Sequence, residues 1–385
     1  MELLRRATAP RFLLCAFVTV SGAFLLAQSA SSQPASSAAP TTFDTISTRV
    51  NANTVAVISG NLNATYISIA YDLSAVLDDG DNLRILPVVG KGGGGNIRDV
   101  RFLKGIDLGI TQANLLNVFH RNKEIGPIDN KIVYIARLFN EEMHLVVRSD
   151  SGITSIEQLA GKKVNFSDIG SGTQLSTRDI VRRLGLNVIE VNMAQNDAAV
   201  ALKKGEIAAT ILIAGKPAGS TATLKASDGF RLLPIAYSNA LQNDYLPAVL
   251  THVDYPNLIE AGQTVDTLAV GAVLIAYNWP RNTDRYRRIA KFVDAFFPRV
   301  ADFQKPPRHP KWREVNLAAT VPGWKRFAAA EEWLARNRTS PDQSVVRQRF
   351  DQFLKQSANA AKGPSKDREQ LFEEFLKWNR SQESR

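Results

Sequence analysis

The feature that most limits how this chain can fold is a recurring unit: a short apolar run, a turn of glycine and small polar residues, then an amphipathic helix. Residues 154–186 (TSIEQLAGKKVNFSDIGSGTQLSTRDIVRRLGL) show it most completely. Ser155 and Gln158 have capping-box spacing, and Gly161 stands where glycine closes a helix. A short strand is predicted over 163–167, then a turn, Gly170-Ser171-Gly172-Thr173. A helix follows from about Gln174, with Leu175, Ile180, Val181 and Leu184 as its apolar positions and Gly185 as its stop. A small-residue turn entering a helix presents unpaired backbone N–H groups at the positive end of the helix dipole, which suits an anion. We expect this turn to be one half of a clamp for a small anionic solute.

The same unit occurs upstream. Strands are predicted at 55–59, 83–89 and 106–110, with helices at 66–77 and 97–104 and a further helical stretch from Gln112. Strands alternating with helices signify an α/β sheet with crossover connections, and ligands of such sheets sit at the carboxyl ends of the strands. Gly60, the glycine run 92–95 and Gln112 all fall there. Residues 131–139 and 143–148 are predicted as two strands around Asn140-Glu141-Glu142, with the chain leaving a first lobe near Ser149. The pattern then restarts: strands at 187–191, 207–213 and 230–236, a helix from Asn196 to Lys204, and a turn, Gly215-Lys216-Pro217. Residues 265–276 form a strand returning to the first lobe, and 282–297 an amphipathic helix. Two lobes built on one plan and joined by strands describe a hinged clamshell.

The ends differ in composition. Arg5, Arg6 and Arg11 precede an apolar run over 12–26, and Ala27-Gln28-Ser29 follows as a cleavage site, the layout of a secretory signal peptide. Residues 1–29 are assigned to that peptide, which would anchor the chain in the membrane if left uncleaved, and 30–52 to a disordered spacer rich in Ala, Ser and Pro. The first lobe is expected over 53–148 and 266–300, the second over 149–265, and a helical C-terminal extension over 301–385. That extension carries aromatic residues at helical spacing (Trp324, Phe327, Trp333, Phe350, Phe353, Phe372, Phe375, Trp378), read as packing against a lobe or one another.

The single cysteine, Cys15, lies in the apolar run, so the mature chain has no disulfide, no thiolate nucleophile and no Cys zinc site. The net charge is +10, with 17 Lys/Arg against 11 Asp/Glu after residue 300, but no nucleic-acid motif accompanies it. Enzymatic patterns are missing as well. The Gly-Ser-Gly turn lacks nucleophile-elbow spacing, the Gly-Lys pairs lack Walker spacing, and the four histidines lack metal-ligand spacing. No enzyme activity, metal or cofactor is expected.

Several segments, taken in order, resemble the TAXI subgroup of solute-binding proteins of TRAP transporters, which have the type II periplasmic-binding-protein fold. The matching pieces are Gly60 with Thr65-Tyr66, Gly93 to Asn96 before a helix, the run 103–112, His144 to Arg148, Gly170 to Thr173, Gly215 with Pro217, and Tyr255-Pro256. The resemblance covers roughly residues 55–297. It implies a monomeric periplasmic receptor that closes on a glutamate- or dicarboxylate-like anion and delivers it to a TRAP-type membrane permease. The alternative is a sensory protein that presents its solute to a membrane sensor or other partner. Candidate solute contacts are Gly60, Thr65, Tyr66, Gly93, Gly94, Asn96, Gln112, Arg137, Ser171, Gly172, Thr173 and Gly215. The family's second turn usually carries a serine where this chain has Gly93.

Overall fold

The computed structural model describes residues 41–62, 64–80 and 82–337. The expected signal peptide, the spacer up to residue 40 and the part of the expected helical extension from residue 338 onward lie outside the described residues. Helix α1 (Thr42–Ala52) occupies the last part of the expected spacer. Asp44 in its first turn and Arg49 in its last complement the helix dipole, which an extended spacer would not use.

From there the alternating pattern holds. The first lobe begins β1 (Thr54–Ile58), α2 (Thr65–Leu77), β2 (Arg84–Val88), α3 (Gly93–Phe102), β3 (Leu108–Gln112), α4 (Leu115–Asn122). Strand β4 (Ile132–Arg148) then enters the second lobe. There follow β5 (Lys163–Asn165), α5 (Gly172–Arg183), β6 (Ile189–Val191), α6 (Gln195–Lys203), β7 (Ala209–Ala214), α7 (Gly219–Ala222), β8 (Phe230–Leu232) and β9 (Leu246–Thr251). Strand β10 (Thr264–Tyr277) returns to the first lobe, followed by α8 (Asp284–Phe296), α9 (Val300–Phe303) and α10 (Ala328–Arg336).

All ten strands of the described residues belong to one sheet, in the order β2-β1-β3-β10-β4-β7-β5-β6, with β8 on β4 and β9 on β10. The parallel strands β2, β1 and β3 form the first lobe's half, and β7, β5 and β6 the second's. β4 and β10 run antiparallel through both halves. The early part of β4 pairs with β10, while Glu142 to Val147 pair with β7. The passage between lobes therefore falls inside one 17-residue strand, upstream of Ser149. This corrects the expected pair of strands. Asn140-Glu141-Glu142 has the composition of a loop, but the backbone continues to pair with Gly271, Val270 and Ala269. Irregular register beside Gly271 marks where β10 bends.

Strand parity sorts the core. In β1, Val55 and Val57 face α2 and α8, while Ala56 and Ile58 face α3 and α4. In β4, Leu145 and Val147 enter one face of the second lobe and Val146 the other. Both faces of both half-sheets are therefore covered, as parallel sheets require.

The segment after α8 is less helical than expected. Residues 304–327 form an irregular strap, with one tight turn at Pro310–Glu314, and α10 spans 9 residues. The strap is held by burial and long-range bonds. Phe303, Trp312 and Phe327 join one face of the first lobe, Val321 and Trp324 the other. Trp312 Nε1 donates to buried Asp72 at 2.8 Å, and Trp324 Nε1 to the Ala113 carbonyl at 3.2 Å. Among the described aromatics of this region, packing against the lobe is what the structure shows. Phe350, Phe353, Phe372, Phe375 and Trp378 lie outside the described residues.

Candidate functional site

Between the lobes lies a cavity of ≈ 490 Å³, within the range that holds a small organic solute. The helix entrances build it. Thr65 and Tyr66 open α2, Gly93 opens α3, Gly172 and Thr173 open α5, and Gln195 and Asn196 open α6; all line the cavity. Four positive helix ends, two from each lobe, thus converge on one space. Ala64, Gly92 and Ala194 precede α2, α3 and α6 and supply no side-chain cap. Only α5 is capped, by Ser171 Oγ accepting from the Gln174 backbone N–H at 3.1 Å. The first-turn N–H groups of the other three helices are left without side-chain acceptors.

The lobes touch around this cavity. The Gly95 N–H donates to the Gly170 carbonyl at 3.1 Å, and Thr65 Oγ1 to the Gly215 carbonyl at 3.1 Å. Farther along the cleft, Asn114 Nδ2 donates to Ser176 Oγ at 2.8 Å and to the Tyr245 hydroxyl at 2.9 Å, and Arg121 pairs with buried Asp179.

Eight of the twelve candidates line the cavity: Gly60, Thr65, Tyr66, Gly93, Gln112, Ser171, Gly172 and Thr173. The Thr173 hydroxyl is already engaged, accepting from the Ile213 N–H at 3.0 Å and donating to its carbonyl, and so ties α5 to β7. The other four candidates stand behind the walls. Gly94 is wedged between lobes, where an added Cβ would come within 2.3 Å of Leu175. Asn96 points beneath α3, donating to the carbonyls of Ile110 and Ile58 at 2.7 and 3.3 Å. Arg137 bonds Asn140 Oδ1 and lies beside Gly271. Gly215 packs against Thr65, Phe139 and Lys311. The glycine run is also not a loop. Gly93 to Gly95 are buried in the first turn of α3, and their missing side chains let α3 and α5 meet.

The residue that sequence reasoning left out of the solute contacts is Glu141. It lies at the cavity floor, 3% exposed, on the part of β4 that crosses between lobes. The Tyr66 hydroxyl donates to its Oε2 at 2.5 Å. Gln112 also bonds it, with Gln112 Oε1 occupied by Ser176 Oγ at 2.6 Å. Burial pushes the Glu141 carboxyl up to about 8 against these donors, and neighbouring Glu142 pushes the same way. Near neutrality Glu141 is therefore mostly uncharged. Lys91 and Asp168 are the other charged side chains on the wall. The sequence offered only a pair of acidic residues between two predicted strands; the partner of Glu141, Tyr66, is 75 residues away in sequence.

A two-lobed clamshell with a cavity at the carboxyl ends of its strands is the architecture of the periplasmic-binding-protein fold. Residues 59–290 match the NMT1-like family, and the chain belongs to that family. Among solved structures it is similar to one described as a periplasmic transporter, at 15% identity over 77% of this chain and 96% of that one, with a TM-score of 0.44. It is also similar to the periplasmic aliphatic sulphonate binding protein SsuA of Escherichia coli, at 17% identity over 65% and 75% of the two chains, TM-score 0.38. A third likeness is to the substrate binding protein of an amino acid ABC transporter, at 11% identity over 65% and 93%, TM-score 0.40. The family is one of solute-binding proteins, not enzymes. Among the described residues no helix is long and apolar enough to cross a membrane.

Proposed function

We infer that this chain is a periplasmic receptor whose two lobes close on a small anionic solute, which it then delivers to a membrane permease. The observation that carries this reading is the convergence of four helix N-termini, three without side-chain caps, on a single interlobe cavity. Lys91 adds a cation to the wall, and the mostly uncharged Glu141 removes a negative charge that would oppose an anion. Because α2 and α3 belong to one lobe and α5 and α6 to the other, a solute meets all four ends only when the lobes are together. It thereby stabilises the closed state, and its release follows opening. The resemblance to TAXI receptors supports a dicarboxylate or glutamate-like solute and a TRAP-type permease, and the receptor acts as a monomer.

Thermal unfolding against a panel of glutamate, 2-oxoglutarate, succinate and ethanesulfonate tests the solute class, with glucose and putrescine as neutral and cationic controls. At about 100 times its dissociation constant a true solute adds about 2.7 kcal/mol and raises the midpoint by several degrees. Lys91→Gln should reduce that shift. A shift given by a control and by none of the acids would overturn the anion reading. Coupling to a TRAP-type permease is tested by reconstituted uptake with the permease encoded nearest to this chain's gene; failure of the receptor to stimulate uptake would remove that partner.

A further inference from the structure

We propose that Glu141 binds the solute as a protonated carboxylic acid, donating a hydrogen bond to the anion, so that at alkaline pH the receptor takes up a proton with its solute. This rests on the anionic-solute reading above and adds a selective residue to it.

The geometry surrounds Glu141 with neutral donors, and the one cation that acts on it, Lys311, is bonded to Glu142 instead. From α2, the Tyr66 hydroxyl donates to Oε2 at 2.5 Å. From β3, Gln112 offers its amide N–H, because its Oε1 already accepts from Ser176 Oγ at 2.6 Å. The next residue on β4, Glu142, is acidic and takes the nearest ammonium: Lys311 Nζ of the strap lies 2.6 Å from Glu142 Oε1 and 2.7 Å from Glu314 Oε1. Among the described residues Glu141 has no ion pair. The remaining charged groups of the cavity, Lys91 and Asp168, sit on its walls.

An anion entering this space would stand beside a carboxylate with no counter-ion if Glu141 were ionised. Two negative charges sharing one water-poor site hold a proton between them. With Tyr66 and Gln112 supplying bonds to the carboxyl oxygens, the acidic O–H is the group left to point at the solute. Burial has already raised the affinity of this carboxyl for its proton, so near neutrality the donor is in place before the solute arrives. The same arrangement disfavours solutes with several acceptors but no charge only weakly. It discriminates by sign: an ammonium group would require Glu141 to release its proton, an anion requires it to keep one.

The test is calorimetric titration of the full mature chain with 2-oxoglutarate, glutarate and ethanesulfonate, none of which titrates between about pH 7 and about pH 9. Each is measured at both pH values, in two buffers of different ionisation enthalpy. Affinity should fall about tenfold from about pH 7 to about pH 9, with close to one proton taken up per solute at the higher pH. In Glu141→Gln the ratio of the two affinities should collapse to within about twofold, whatever its absolute affinity. Binding without pH dependence, binding with proton release, or a pH dependence that survives in Glu141→Gln would each overturn the inference while leaving the receptor reading intact. If none of the three acids binds at either pH, the anion reading and this inference fall together. The wild-type proton count decides the matter even if the variant does not fold.

Discussion

Gly93 and Gly172 meet backbone to backbone across the cleft: a Cβ on Gly93 would lie 2.2 Å from the Cα of Gly172. This contact sets how far the helix ends α3 and α5 can approach, and so fixes the height of the cavity between them. Gly93→Ala should hold the lobes apart. Overpacking of this kind costs about 1–3 kcal/mol in the closed state, or about tenfold to hundredfold in solute affinity. The free protein should lose only about 1 kcal/mol, from placing alanine at φ 40°. Titration calorimetry beside urea unfolding separates the two effects. Equal losses in both measurements would mean that the contact is a folding contact and not a closure contact.

Lys311 reaches from the strap to Glu142 at the crossing of β4, with side chains 2% and 5% exposed. Removing one member of a buried pair strands the other, at a cost of about 3–5 kcal/mol. Lys311→Met should show that loss in denaturant unfolding, and adding Glu142→Gln should recover much of it. A loss below about 1 kcal/mol would show that the strap does not secure the crossing strands.

His144 is buried on β4 and held between the Tyr255 hydroxyl at 2.6 Å and the Leu212 carbonyl. Burial holds its proton affinity down, at about 4 against an ordinary 6.5. Between those values the unfolded chain binds more protons than the fold, so this group withdraws up to about 3 kcal/mol as pH falls from 6.5 to about 4. Glu141 acts with the opposite sign. Its raised carboxyl favours the fold at acid pH, and that contribution is lost as pH rises from 4.5 to about 8. Unfolding free energies of His144→Gln and Glu141→Gln, each subtracted from wild type across this range, should therefore slope in opposite directions. Parallel or flat differences would contradict both assignments.

Asn96 serves the frame of the first lobe. Its amide joins the carbonyls of Ile58 and Ile110, one from each of two neighbouring strands. Asn96→Ala leaves those acceptors buried and should cost about 2 kcal/mol of stability, measured by urea unfolding. Retention of full stability would mean that water replaces the amide.

Much of this could be read along the chain because it is local. The strand–turn–helix unit, the capping spacing at Ser155 and Gln158, and the small-residue entrance to α5 each follow from residues a few positions apart, and each recurs in the fold. What could not be read was set by distant partners. Asn140-Glu141-Glu142 is polar enough for a loop, yet stays in β4 because Tyr66, Lys216 and Lys311 satisfy its two carboxyls. Gly93 to Gly95 have the composition of a flexible loop, yet form a helical turn because α5 packs on them. Trp324 and Phe327 have helical spacing, but they are drawn to opposite faces of the lobe, which no single helix could allow.

The central claim, that the lobes close on one small anion held by helix ends from both sides, is tested most directly by calorimetric titration of wild type and Gly93→Ala with the same panel of acids. The account predicts one solute per chain, an acid as the tightest ligand, and at least about a tenfold weaker affinity in the variant. A tightest ligand that is cationic, or an acid bound equally well by both proteins, would contradict it.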